Sequence, residues 1–147
     1  MASSKVTHGK CLCGTIEVKA EGDFTASVAC SCKNCQICGG SAYSVNLVYL
    51  KDAVTVTKGL DNLKTYEDKD TDSGKSVWRR FCGRCGSAIF SQDEDGHCYV
   101  KAPVMEGGLE TQLSAISSPE TCRNGLTARL ENIRETSQQF NNDITRT

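Results

Sequence analysis

Apolar and polar residues alternate at Ile16, Val18 and Ala20, a period of two that places one face of a β-strand against a core. Short segments of the same character follow at Val45–Leu50, Val54–Thr57, Leu63–Glu67, Ser76–Phe81, Ala88–Ser91 and Cys98–Ala102. Each is bounded by Gly, Asp, Asn or Ser, so the pattern predicts a mainly β, antiparallel domain. Asp93–Gly96 has the composition of a hairpin turn between the last two strands. Helix is indicated only at Asn34–Gly39 and Leu126–Glu135. The polar, acidic stretch Asp68–Gly74 reads as a solvated loop, and Gln138–Thr147 as a frayed end. No fixed-period repeat or low-complexity linker divides the chain, so residues 1–147 are expected to form a single domain.

Composition changes this picture in one respect. Aromatic residues make up only 6% of 147 residues, too few to fill a β core generously, and bound metal would supply the missing stabilisation. The formal net charge of -1 predicts no broad attraction to nucleic acid or to an anionic membrane, leaving small molecules as the expected partners. Met1–Lys10 contains no apolar stretch of signal-peptide length, and no run approaches about 18 apolar residues. With reduced thiols, that predicts a cytoplasmic protein.

The chain carries ten cysteines, and their spacing favours metal over disulfides. Cys11 and Cys13, like Cys30 and Cys32, are too close to bridge easily, whereas neighbouring thiolates converge readily on one ion. Cys82-x-x-Cys85-Gly86 is a knuckle in which backbone amides face sulfur and the glycine accommodates positive φ. It offers two thiolates; Cys11-x-Cys13-Gly14 supplies the complementary pair for a four-cysteine structural zinc. Cys30, Cys32 and Cys35 form a second group of three, which leaves zinc an open position for water or a substrate sulfur. Cys38 lies three residues beyond Cys35 and shares its helical face, so it is a candidate fourth ligand that would close the site. Two zinc ions per chain are expected. Cys98 and Cys122 lack spaced partners and read as packing thiols.

Proton-transfer candidates are few: Ser31, Ser41, Tyr43 and His97. His97 sits beside the hairpin turn as a surface imidazole, and His8, just before the first cysteine pair, could substitute as a ligand there but is not expected to. Asp93-Glu94-Asp95 reads as a hydrated turn. Ser73-Gly74-Lys75-Ser76 ends like a phosphate-binding loop, but Lys69 occupies the position of the required first glycine. Gly39-Gly40-Ser41 is a flexible turn whose amides could meet a carboxylate.

The ordered motifs Gly9-Lys10-Cys11-Leu12-Cys13-Gly14, Cys30-Ser31-Cys32-Lys33-Asn34-Cys35, Gly40-Ser41-Ala42-Tyr43, Tyr66, Ser73-Gly74-Lys75 and Arg80-Phe81-Cys82-Gly83-Arg84-Cys85-Gly86-Ser87-Ala88-Ile89-Phe90 resemble the glutathione-dependent formaldehyde-activating enzymes, or centromere-protein-V/GFA domain, over roughly residues 8 to 115. The resemblance implies an Mss4-like β-tent of antiparallel sheets organised around zinc. It also implies structural-zinc ligation by Cys11, Cys13, Cys82 and Cys85, catalytic-zinc ligation by Cys30, Cys32 and Cys35, and carbon-sulfur lyase activity on adducts such as S-hydroxymethylglutathione. Ser31 stands where the family commonly has His, Cys38 where a non-ligand is usual, and Arg129 where the family tail has Trp. A noncatalytic zinc-stabilised binding module, and metal or redox handling by the surplus thiols, are the alternative functions.

Overall fold

The computed structural model describes residues 5–111 and 113–117. Leu126–Glu135, Gln138–Thr147, Cys122 and Arg129 lie outside the described residues. The strands are β1 (Val6–Lys10), β2 (Glu17–Glu21), β3 (Ala26–Cys30), β4 (Ser44–Leu50), β5 (Val54–Lys58), β6 (Leu63–Asp68), β7 (Val77–Cys82), β8 (Ala88–Asp93), β9 (His97–Lys101) and β10 (Ala115–Ser117), with helix α1 at Lys33–Gly39. They form a three-stranded sheet, β1-β2-β5, and a seven-stranded sheet, β10-β3-β4-β9-β8-β7-β6. Pairing is antiparallel except between β10 and β3.

The alternating segments and the short helix stand where the pattern places them. Three strands escape it. β3 reads Ala-Ser-Val-Ala-Cys, too small and too uniformly buried to alternate. β1 has Gly9 as its buried residue, where a Cβ would lie 2.6 Å from Met105 Sδ and 2.8 Å from Val104 O. Gly9 instead admits that segment, which joins it in an isolated antiparallel bridge. β10 is a three-residue edge strand. Asp68 is the other difference: it closes β6 and is 5% exposed, so the polar stretch after it does not start as a solvated loop.

Residues opposite one another across a ladder share a face, so the register sorts the large sheet into two. Leu47, Val100 and Phe90 are aligned across β4, β9 and β8, and with Tyr49 and Cys98 they pack in one core with Ile16, Val18 and Ala20 of β2. The other face carries Cys30 opposite Ser44, then Asn46 opposite Lys101, Tyr99 opposite Ser91, and Ser91 opposite Arg79. Ser44, Asn46, Ser91, Lys101 and Asp68, five of the six buried polar residues among those described, occupy this second face. β4 is therefore buried on both sides, against the main core on one and, on the other, against these polar residues and a small apolar cluster of Val28 and Val48 with Ala26 and Tyr99.

Candidate metal centres and the adjoining cavity

The first centre joins two turns of the same design. After β1, the chain makes the Cys11–Gly14 turn, with Gly14 at φ 70 and its amide bonded to Cys11 O at 3.0 Å. After β7, Gly86 at φ 73 donates to Cys82 O at 2.8 Å. These left-handed glycines let each turn reverse into the following strand without Cβ strain. The turns meet through Leu12 N, which donates to Ser87 Oγ at 3.1 Å.

This brings Cys11, Cys13, Cys82 and Cys85 sulfurs within 4.8 Å of one another. Cys11 and Cys13 are 3.5 Å apart and Cys13 and Cys82 3.8 Å, close to the ~3.8 Å edge of a tetrahedron with Zn–S bonds of about 2.3 Å. Ile16 N donates to Cys11 Sγ at 3.2 Å. The Ser87 hydroxyl beside Cys85, followed by backbone amides of Ser87 and Cys13, pulls that thiol down to about 5. Thr15, through its hydroxyl and then its backbone, lowers Cys13. At Cys82, a backbone bond from Cys85 favours the thiolate, but burial and the neighbouring sulfurs of Cys85 and Cys11 raise it on balance. A divalent cation favours all four thiolates together.

The second centre forms where β3 runs into α1. Cys32 is the N-cap and its Sγ accepts from Cys35 N at 3.4 Å, a place ordinarily filled by an oxygen-bearing side chain. The cap places Cys30, Cys32 and Cys35 sulfurs within 4.8 Å of one another. Cys38, exposed one helical turn on, is not in this group. Gly40 at φ 60 stops the helix, donating to Gln36 O and Ile37 O. Cys35 is raised: a bond with Cys30 favours its thiolate, but the Cys32 sulfur and burial outweigh it.

Charged and polar groups surround this second cluster, and spacing gave no sign of them. Lys101, 8% exposed, donates from Nζ to Ser44 Oγ at 3.0 Å and Asn46 Oδ1 at 2.8 Å. Burial lowers its pKa, while the sulfurs of Cys35, Cys38 and Cys30 pull the other way and Arg79 adds to the lowering. Asp68 Oδ2 accepts from Arg79 Nε and lies 2.7 Å from Arg79 Nη2, and also accepts from Asn34 Nδ2 at 2.9 Å. Asn34 donates as well to Asp70 O at 2.7 Å. The first turn of α1 is thus tied to the end of β6 and, through Asp68, to Arg79 of β7. A run of isolated polar residues contains no signal for this; only the register brings them together.

A cavity of about 1040 Å³ opens between Cys11 and Leu12 on one side, Ser41 and Tyr43 on another, and Lys101 and Met105 on a third. It is at the upper end of ligand-pocket sizes, about 300–1,000 Å³. His8 lines it but belongs to neither sulfur group. His97 is placed elsewhere: its Nδ1 is 3.1 Å from Asp93 Oδ2, which also accepts from Tyr99 OH at 2.8 Å. Asp93 is therefore a partly buried acceptor rather than part of a hydrated acidic turn, held below the usual carboxylate range, against burial, by the His97 amide, Tyr99 and the His97 ring. Cys98, fully buried in the core, is pushed up to about 12 by burial and packs as expected. No helix among the described residues is long and apolar enough to cross a membrane.

Fold and centres together define a β-protein with two thiol clusters of metal-binding geometry. A family model described as glutathione-dependent formaldehyde-activating enzyme matches residues 6–122, and the chain belongs to that family. Relatives from Fusarium vanettenii and Pyrenophora teres f. teres, both provisionally named glutathione-dependent formaldehyde-activating enzymes, are 30% identical over 88 residues and 33% over 104. These matches cover 60% and 69% of this chain but 45% and 52% of the relatives, so the chain spans about half the length of the curated relatives it matches. A Rhodobacter sphaeroides protein of known crystal structure shares the fold at a TM-score of 0.59 and 20% identity, covering 75% of this chain and 99% of that one.

Proposed function

We propose that the chain is a zinc-dependent carbon-sulfur lyase acting on glutathione or related thiol adducts of the S-hydroxymethylglutathione type, working in the cytoplasm as a single domain. The observation that carries this reading is the three-sulfur group Cys30, Cys32 and Cys35, from which Cys38 stands apart; the cavity is walled by Ser44, opposite Cys30, and by Lys101 rather than by the three sulfurs themselves. The donor set fits zinc: all soft sulfur, four in one cluster and three in the other. Bound at the second cluster, zinc supplies Lewis acidity toward a substrate sulfur and stabilises a departing or attacking thiolate.

The residues of the chain do the rest. Cys11, Cys13, Cys82 and Cys85 clamp the small sheet to the end of β7 and fix one wall of the cavity. The capped first turn of α1 holds Cys32 and Cys35 in a fixed relation, and the Asp68–Asn34 bond holds the helix to the sheet. The cavity has room for a tripeptide thiol, with Ser41, Tyr43 and Lys101 as polar contacts. Tyr43 and Ser41 are the proton-transfer candidates that reach it; the Ser41 hydroxyl is already committed to Tyr43 O.

Metal counting on the purified protein tests the site, with two zinc ions per chain expected and Cys38→Ala retaining both. Proton NMR of S-hydroxymethylglutathione, with the parent chain and Cys32→Ser compared, tests the chemistry. A single ion per chain would refute the second centre. Two ions without accelerated adduct cleavage or formation would leave a zinc-stabilised binding module.

A further inference from the structure

Three thiolates and one divalent cation leave the second centre with a net negative charge, placed over the polar face of the large sheet. We propose that Lys101 is the positioning residue of that centre, its buried ammonium held by Ser44 and Asn46 as the fixed counter-charge of the Cys30–Cys32–Cys35 cluster. The inference rests on metal binding there, as proposed above.

Four observations converge on Lys101. Its side chain is buried, and a buried cation requires compensating partners. Its two hydrogen-bond acceptors, Ser44 Oγ and Asn46 Oδ1, are both neutral, and none of the ion pairs among the described residues includes it. Arg79, a partly buried cation on this face, is paired with Asp68, so that carboxylate is already engaged. The register then sets Lys101 beside Asn46, two residues from Ser44, which is opposite Cys30. The groups that act on Lys101 as negative charges are accordingly the sulfurs of Cys35 and Cys30 in the cluster, together with that of Cys38 beside it.

Asn46 also gives a way to separate charge from shape. Asn46→Asp is nearly isosteric and keeps the hydrogen bond to Nζ, but it puts a carboxylate 2.8 Å from the ammonium and cancels its field at the sulfurs. Lys101→Met removes the charge and keeps most of the volume.

The experiment is competitive zinc titration of the full chain against a chromophoric chelator, with cobalt substitution reporting the thiolate-to-metal absorption of each centre. Lys101→Met and Asn46→Asp are both expected to weaken the second equivalent of zinc about 10- to 100-fold, and to leave the first equivalent and its absorption unchanged. Retained first-site binding shows that each variant is folded. The proposal is overturned if either variant keeps wild-type affinity at the second centre, as Asn46→Asp would if Lys101 served only packing, or if both centres weaken together. Failure of the underlying reading looks different: the parent chain itself would then bind one ion.

Discussion

Asp68→Asn tests how the second centre is held, because it removes the charge from an acceptor that Arg79 and Asn34 share. The Arg79 and Asp68 side chains are 12% and 7% exposed, so solvent screening that makes surface pairs weak is largely absent. At 2.7 Å the gross attraction is about 6 kcal/mol for an effective dielectric of ~20, part of which offsets the desolvation of both groups. Breaking a buried pair from one side costs about 3–5 kcal/mol, because the remaining charge stays buried. Asn still accepts a neutral hydrogen bond, which lowers the expectation to about 2–4 kcal/mol. For a chain of this size that is a fall in Tm of roughly 5–12 °C.

Thermal and urea unfolding of the zinc-loaded protein measure it, together with Asp68→Asn/Arg79→Met. The double variant should be more stable than Asp68→Asn alone, since it leaves no orphaned guanidinium. The weaker hold on Asn34 should also speed metal loss from the second centre relative to the first. A cost below about 1 kcal/mol, the range of exposed pairs, would refute the reasoning, as would a double variant that costs the full sum of the two single changes.

Gly59→Ala should destabilise the protein by about 2 kcal/mol or more, because Gly59 has φ 76 and an added Cβ would fall 2.1 Å from Thr15 O; a change under about 0.5 kcal/mol in urea unfolding would contradict this. The strain should reach the first centre, since Thr15 contacts Cys13. Cys98 predicts an alkaline limit: the folded thiol is pushed up to about 12, whereas an unfolded one ionises near pH ~8.5. Its contribution is complete below about pH 8.5 and declines as the pH rises toward the folded value. Cys98→Val should flatten the fall of the urea midpoint between about pH 9 and 10.5, and an unchanged slope would count against burial as the cause.

Spacing carried the grouping of the sulfurs well because that grouping is local. Cys-x-Cys and Cys-x-x-Cys place thiols together through one turn, so the three-sulfur group at 30–35 is visible without tertiary structure. The four-sulfur group needed only the inference that two half-sites meet. Lys101, Asn46, Ser44, Asp68 and Arg79 were not visible, because each is a lone polar residue in its own strand and the polar face exists only after β3, β4, β9, β8 and β7 are aligned. β1 and β3 escaped for another reason. Gly and Ala stand at their buried positions, so hydrophobic periodicity has little amplitude there even though burial is complete. Asp68 was misplaced by composition, which sees acidity but cannot see a guanidinium eleven residues on across a hairpin.

The two centres also differ in how far the chain must travel to build them. Cys13 and Cys82 are 69 residues apart, so the first centre is complete only after β2 to β7 have been made and docked, and an ion caught earlier has half its ligands. Cys30, Cys32 and Cys35 emerge nearly together during synthesis. If both clusters take up metal as proposed, loading of the newborn chain would therefore begin at the Cys30–Cys32–Cys35 group, and the group that joins the two sheets would load last.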